Sequence, residues 1–259
     1  MDIEELATNF GLPSARLLPS VDQNLTKFGG VPLVSAGFVW PQFNRRPMAF
    51  LCQIDLSALA RLSLHDWLPK CGLLSFFYDC EREAWGYHPD DRGAWAVLYH
   101  ADAGSLKPAT QPDDLPEDSR YEDHHLSLNG EKSLPSLERL AHATGGMDEI
   151  LKFVGYSEEK STPAHRIGGY PMPLQNDDME YICERCGVGM TAEDTEQLSP
   201  EDHDLFLGEI DEWRLLLQLD TDPAAEMMWC DEGRLYFWIR ERDALAQDYS
   251  KVWMILQSR

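Results

Sequence analysis

Residues 166–171 read Arg166-Ile167-Gly168-Gly169-Tyr170-Pro171, and residues 27–32 read Lys27-Phe28-Gly29-Gly30-Val31-Pro32. Both strings run basic, apolar, Gly, Gly, any residue, Pro. Paired glycines before a proline mark a tight turn, in which glycine supplies positive φ without steric penalty. The segments that follow each string also match. Leu51-Cys52-Gln53-Ile54-Asp55 lies inside a strand pattern at 48–56, and residues 215–220 repeat it as Leu215 to Asp220 with Gln218 in the same place. Gly72 opens an aromatic strand pattern through Tyr78, and Gly233 opens its counterpart through Ile239. Residues 95–100 and 251–256 form the last pair. Each run is short, rich in branched and aromatic residues and bounded by turn residues, so each is expected as a strand.

Four matched elements in one order imply an internal duplication, with one repeat near 25–100 and the other near 166–257. The expected fold is α+β and mostly antiparallel β-sheet, with two sequence-related halves in pseudo-twofold symmetry and flanking helices. Each half alone would leave sheet edges and apolar faces open, so a shared core is expected. The expected organisation is an N-terminal helix plus first repeat over 1–130, a helical connector over 131–165, and a second repeat over 166–259, all in one compact unit. The N-terminal helix covers residues 1–10, with Asp2 as N-cap, Glu5 three residues on, and Ile3, Leu6, Ala7 and Phe10 on one face. Residues 101–130 are polar and contain Pro108, Pro112 and Pro116, which predicts a loop or excursion. Leu134, Leu137, Leu140, Ile150, Leu151 and Val154 predict helix over 134–154.

The halves differ in length. Gly30 to Asp55 spans 25 residues and Gly169 to Asp220 spans 51. The extra length is an acidic insert at 176–212, with 13 acidic residues against Arg185 alone, about half of the net charge of -23. Such a field repels phosphate backbones and anionic lipid, so nucleic acid and membrane are not expected partners. A basic protein is, because complementary fields speed encounter. The first ten residues lack a basic, then apolar, leader pattern, and the chain has no apolar run of membrane-spanning length. A cytoplasmic location with reduced thiols is therefore expected for Cys52, Cys71, Cys80, Cys183, Cys186 and Cys230.

The wording of several segments resembles a known family. Lys27 to Pro32, the Phe38 to Pro41 stretch, the Gln-x-Asp strands, residues 72–79 and the closing run 233–253 are similar to the bacterial YwqG-like proteins, a domain family of unknown function. The resemblance implies a β-dominated α+β fold in bacterial cytoplasm and no established reaction. It also implies, by association only, a place beside secreted toxins in the position of an immunity protein.

Candidate chemistry is sparse. Cys183-Glu184-Arg185-Cys186 has half the ligands of a structural zinc site and no second pair. Glu122-Asp123-His124-His125 and Glu201-Asp202-His203-Asp204 read as solvated loops. No G-x-S-x-G, H-E-x-x-H or phosphate-loop string occurs. No cofactor and no metal are expected, and the chain leans away from an enzyme. The expected function is a non-enzymatic protein-binding protein, an immunity-type inhibitor that neutralises a basic toxin, such as a nuclease, through an acidic surface. Its expected contact residues are Asp177, Asp178, Glu180, Glu193, Asp194, Glu196, Glu201, Asp202, Asp204 and Glu209. The alternative is a small-molecule-binding protein or hydrolase with a pocket between the repeats at Gln53, Asp55, Gln218 and Asp220. The competing structural role for those aspartates is to end the strand and cap the next turn.

Overall fold

Ten strands form one sheet in the computed structural model, which describes residues 3–144 and 163–259, and its central runs of branched and aromatic residues are buried on both faces. Helix α1 (Ile3–Phe10) leads into β1 (Leu12–Pro19), β2 (Lys27–Phe28) and β3 (Ala49–Asp55). Helix α2 (Leu56–Ala60) precedes β4 (Leu73–Tyr78), β5 (Trp95–His100) and β6 (His124–Ser133). Then come α3 (Leu137–Thr144), β7 (Arg166–Ile167), and the helices α4 (Met179–Gly187), α5 (Ala192–Glu196) and α6 (Pro200–Ile210). The chain closes with β8 (Trp213–Asp220), β9 (Arg234–Arg240), α7 (Glu241–Leu245) and β10 (Trp253–Gln257). Asp2 and the 145–154 part of the second expected helix lie outside the described residues.

The sheet order is β10-β9-β8-β7-β1-β6-β2-β3-β4-β5, and every neighbouring pair is antiparallel. The fold is thus mostly antiparallel β, as expected. All six strands expected at full length, three in each half, form. Two long strands were not expected, β1 and β6. They pair over eight positions, Leu12↔Ser133 to Pro19↔Leu126, in the middle of the sheet. The loop expected at 101–130 is therefore corrected, because its last residues begin β6, and the connector expected from 131 starts as strand. The reason is physical. β6 carries few apolar residues and β1 is flanked by prolines, so neither shows strand periodicity; each is a strand because the other supplies its ladder from across the chain.

β1 and β6 also interlock the halves. β1 precedes the first set of strands yet bonds β7, while β6 precedes the second set yet bonds β2. The two sets share irregularities. The β3–β4 register shifts between Phe50 and Cys52, and the β8–β9 register shifts between Leu215 and Leu217. One apolar core joins both sets, with the Phe76 and Phe237 rings edge to face at 5.2 Å. Burying each such aromatic contributes roughly 2–3 kcal/mol.

The edge strands nearly meet. Trp95 on β5 donates its indole N–H to the Val252 carbonyl at 2.9 Å, and Trp253 on β10 donates to the Gly86 carbonyl at 2.8 Å. Leu256 N–H bonds the Trp85 carbonyl at 3.0 Å, so the outer side of β10 is partly covered. The sheet is nearly closed, which leaves little free edge for aggregation. Among the described residues no helix is long and apolar enough to cross a membrane.

Candidate functional site: an acidic, aromatic cleft

The acidic insert folds as α4, α5 and α6, and each helix has a local cause. Thr191 and Asp194 form a reciprocal capping box at α5. Ser199 caps α6, with Pro200 in its first turn. α4 is anchored by a buried charge. Glu184 accepts the Trp213 indole N–H at 2.8 Å and the Arg240 guanidinium at 2.7 Å, and Arg240 lies over the Trp213 ring at 4.8 Å. Burying a carboxylate without such partners is costly. This cluster presses α4 onto β8 and β9.

A cleft of about 690 Å³ opens beside that anchor. The segment between α2 and β4 contributes His65, Asp66 and Trp67. The second Gly-Gly turn contributes Gly169, Tyr170 and Pro171. The start of α4 contributes Asp177, Asp178, Glu180 and Tyr181. The far wall comes from Asp211, Trp213 and Arg214, with Trp238 and Glu241 behind. Six carboxylates thus share the cleft with two guanidinium groups and five aromatic rings.

The cations are both engaged. Arg139 of α3 makes a bidentate pair with Asp177, Nε and Nη2 each 2.7 Å from a carboxylate oxygen, and its Nη2 lies 2.7 Å from Glu180 Oε2. Its guanidinium sits 5.8 Å from the centre of the Tyr170 ring. Burial works against the Arg139 charge, but Asp177 and Glu180 outweigh it and push the pKa up. Arg214 pairs with Glu241 at 2.8 Å. Asp178 has its pKa raised, first by burial and then by its neighbour Asp177. Burial also lowers the His65 pKa, so the ring favours its neutral form. The His65 ring packs on Gly168, where a Cβ would fall 2.2 Å from Cε1; only glycine admits it. The Trp238 indole is 2 % exposed, and its N–H has no acceptor among the described residues.

Of the ten acidic residues expected from sequence, Asp177, Asp178 and Glu180 line this cleft. Glu193, Asp194, Glu196, Glu201, Asp202 and Asp204 stand exposed on α5 and α6. Asp194 is drawn below its ordinary pKa by the Thr191 backbone N–H. Glu209 is half-buried and ion-paired with Arg242, which lowers its pKa. Sequence reading missed His65, Trp67, Arg139, Tyr170, Tyr181, Trp213 and Trp238. No spacing linked them, because they come from six separate segments.

The alternative pocket residues stand elsewhere. Gln53 and Gln218 are fully buried, and both ends of each amide are used. Gln53 accepts Leu33 N–H at 2.8 Å and donates to the Leu25 carbonyl at 3.1 Å. Gln218 accepts Met172 N–H at 2.8 Å and donates to the Ala164 carbonyl at 2.5 Å. Asp55 caps α2 through Ser57 N–H, and Asp220 pairs with Arg234 at 2.8 Å. None of the four lines this cleft. The two glutamine side chains hold the segments that flank the Gly-Gly turns to the sheet.

The remaining motifs are structural in the same way. Gly29, Gly30, Gly168 and Gly169 all have positive φ, between 56° and 74°. Asp123 of the Glu122–His125 cluster binds the buried Lys27 at 2.7 Å, and His124 and His125 begin β6. Cys183 and Cys186 are buried on α4, and burial raises both thiol pKa values. Among the described residues no group of three or more His, Cys, Asp or Glu could hold a metal ion.

Fold and cleft together define a mainly antiparallel β protein with an acidic helical insert and an acidic, aromatic recess. The chain belongs to the family described as domain of unknown function DUF1963, whose model matches residues 26–258. That agrees with the resemblance to the YwqG-like proteins. No curated protein matches the chain.

Proposed function

We propose that this is a non-enzymatic binding protein of the bacterial cytoplasm that engages a basic protein. In its specific form the proposal is an immunity-type inhibitor that covers the positive groove of a toxin. One observation carries the reading. No Lys or Arg occurs between Arg185 and Arg214, while α5 and α6 expose six carboxylates in that interval. Leu205, 71 % exposed, and Leu207 stand among them on α6. An apolar centre within a charged rim is the composition of a protein interface. A basic groove that binds nucleic acid is complementary to such a face.

We also infer that the two strand sets arose by duplication about a pseudo-twofold axis near the Phe76–Phe237 contact. The matching bonds of Gln53 and Gln218 and the matching register shifts support this. The outer face of the insert is then an addition to one copy.

The test is capture from source-cell lysate at low and high salt. The protein is used in wild-type form and with Glu193, Asp194, Glu196, Glu201, Asp202 and Asp204 changed to Gln or Asn. The wild type is expected to enrich one basic protein, and the neutralised variant to associate about tenfold or more slowly with a flatter salt dependence. Equal association rates for both forms would sink the helical face as the contact surface.

A further inference from the structure

We infer that the outer edge of β5 is a docking site for an extended peptide with uncharged side chains, which adds to the sheet as a strand antiparallel to β5. The site is separate from the face used in the proposed function, since no residue of the acidic insert lines it.

The first observation is an open ladder. β5 ends the sheet order, so β4 is its one strand neighbour. Asp79 N–H bonds the Ala94 carbonyl at 2.8 Å, and the register runs unbroken from Tyr78↔Trp95 to Leu73↔His100. Bonded and non-bonded pairs alternate in an antiparallel ladder. Ala96, Leu98 and His100 therefore bond β4, while Trp95, Val97 and Tyr99 aim their N–H and C=O groups outward. Among the described residues no other backbone segment bonds these outward groups. The 3₁₀ turn Tyr249–Lys251 runs alongside, with the Tyr249 ring 5.6 Å from that of Tyr99. It offers β5 no ladder. Lys251 N–H is spent on the Asp248 carbonyl, Val252 N–H on the Tyr249 carbonyl, and the Val252 carbonyl on the Trp95 indole. An edge in this state is a template for another chain.

The second observation is the shape and charge of the space. A groove of about 810 Å³ follows the edge, walled by residues 35–39 on one side and 247–252 on the other. Two walls admit a single extended chain and exclude the edge of a second sheet, which brings its own neighbouring strand. Arg92 and Asp248 are the one Arg and the one acid of the lining, in a chain of net charge -23. Val39, 82 % exposed, and the half-buried Phe38 and Leu98 supply apolar contact. Strand addition draws affinity from main-chain bonds and selectivity from such side-chain contacts.

The two charges set the direction. Arg92 lies over the Trp253 ring, which meets the Trp95 ring at 4.8 Å, so it marks the Trp95 end of the groove. Asp248 precedes Tyr249 and marks the Tyr99 end. An antiparallel strand begins at the Tyr99 end, with its positive terminus by Asp248, and finishes with its negative terminus by Arg92.

The probe is the peptide Thr-Val-Thr-Val-Thr with free termini, titrated into the whole protein and followed by backbone amide signals and hydrogen exchange. In the protein alone, the Val97 and Tyr99 amides are expected to exchange faster than those of Ala96 and Leu98. The peptide is expected to shift Val97 and Tyr99 saturably and to slow their exchange. Two analogues decide the mode, one N-methylated at its second and fourth residues and the other at its third and fifth. Only one set of amides faces β5, so one analogue is expected to bind about tenfold or more weakly than the other. The acetylated and amidated peptide is expected to bind about two- to fivefold more weakly, and Asp248→Asn to reduce that difference. Equal binding of the blocked peptide overturns the assigned direction. No response of Val97 and Tyr99, or equal binding of the two N-methylated analogues, overturns strand addition. Protection of these two amides that rises with protein concentration, without peptide, would mean that a second copy takes the edge, and also overturns it.

Discussion

Gln53 and Gln218 carry the residue scale. In sequence they look like polar residues on an open strand face. In the fold each is sealed inside the sheet and clamps the loop around a Gly-Gly turn through one donated and one accepted bond. Replacing either by Leu keeps the approximate volume but orphans a backbone N–H and a backbone carbonyl. Each orphaned group costs about 1–3 kcal/mol, so Gln53→Leu and Gln218→Leu are each expected to lose roughly 2–4 kcal/mol in urea unfolding. Similar losses at both sites would agree with a shared origin of the two clamps. A loss below about 1 kcal/mol would mean that water replaces the amide.

The near-closure of the sheet rests on the Trp95–Val252 bond and on residues 85–86, which lie against β10. Gly86 has φ of 82°, and a Cβ there would fall 1.8 Å from the Met254 carbonyl oxygen. Backbone stands on both sides of that contact, so no side-chain rotation can relieve it. Gly86→Ala is therefore expected to push the segment off β10 and to lose roughly 2–4 kcal/mol, combining left-handed strain with a steric clash. Hydrogen exchange gives the local reading. The Leu256 amide, bonded to the Trp85 carbonyl, is expected to lose protection before the β8–β9 ladder does. Retained Leu256 protection would show that β10 holds its place without this cover. The insert is attached differently, by the buried Glu184–Arg240–Trp213 cluster, which is why an acidic excursion lies firmly against an apolar sheet.

Over the whole molecule, electrostatic terms of opposite sign compete. A net charge of -23 repels itself, and acid relieves that repulsion as carboxylates protonate. Buried His100 acts the other way. It is 8 % exposed, and burial lowers its pKa below the ordinary 6.5. The folded ring therefore resists a proton that the unfolded chain accepts. Its contribution is present above the unfolded pKa and is lost as pH falls toward the folded value. Between about pH 7.5 and about pH 5.5, the wild type is expected to lose more stability, or gain less, than His100→Gln. Parallel pH profiles from chemical denaturation would show that His100 titrates alike in both states.

The sequence by itself determined the repeated strand words, the Gly-Gly turns, the α1 pattern and the acidic bias of the insert, because each is a local pattern of side-chain periodicity, positive φ or charge. It also placed Asp55 correctly as a cap among the alternatives, since Asp bonds its own backbone at strand ends. Only the tertiary structure decided that β1 and β6 are strands, since their polar or proline-flanked sequences become strands through a partner more than 100 residues away. It alone decided that Gln53 and Gln218 are sealed clamps, because burial depends on what packs over a face and not on the face's own pattern. The cleft was illegible for the same reason. His65, Arg139, Tyr170, Asp177, Trp213 and Trp238 come from distant parts of the chain, and their meeting is a property of the packing.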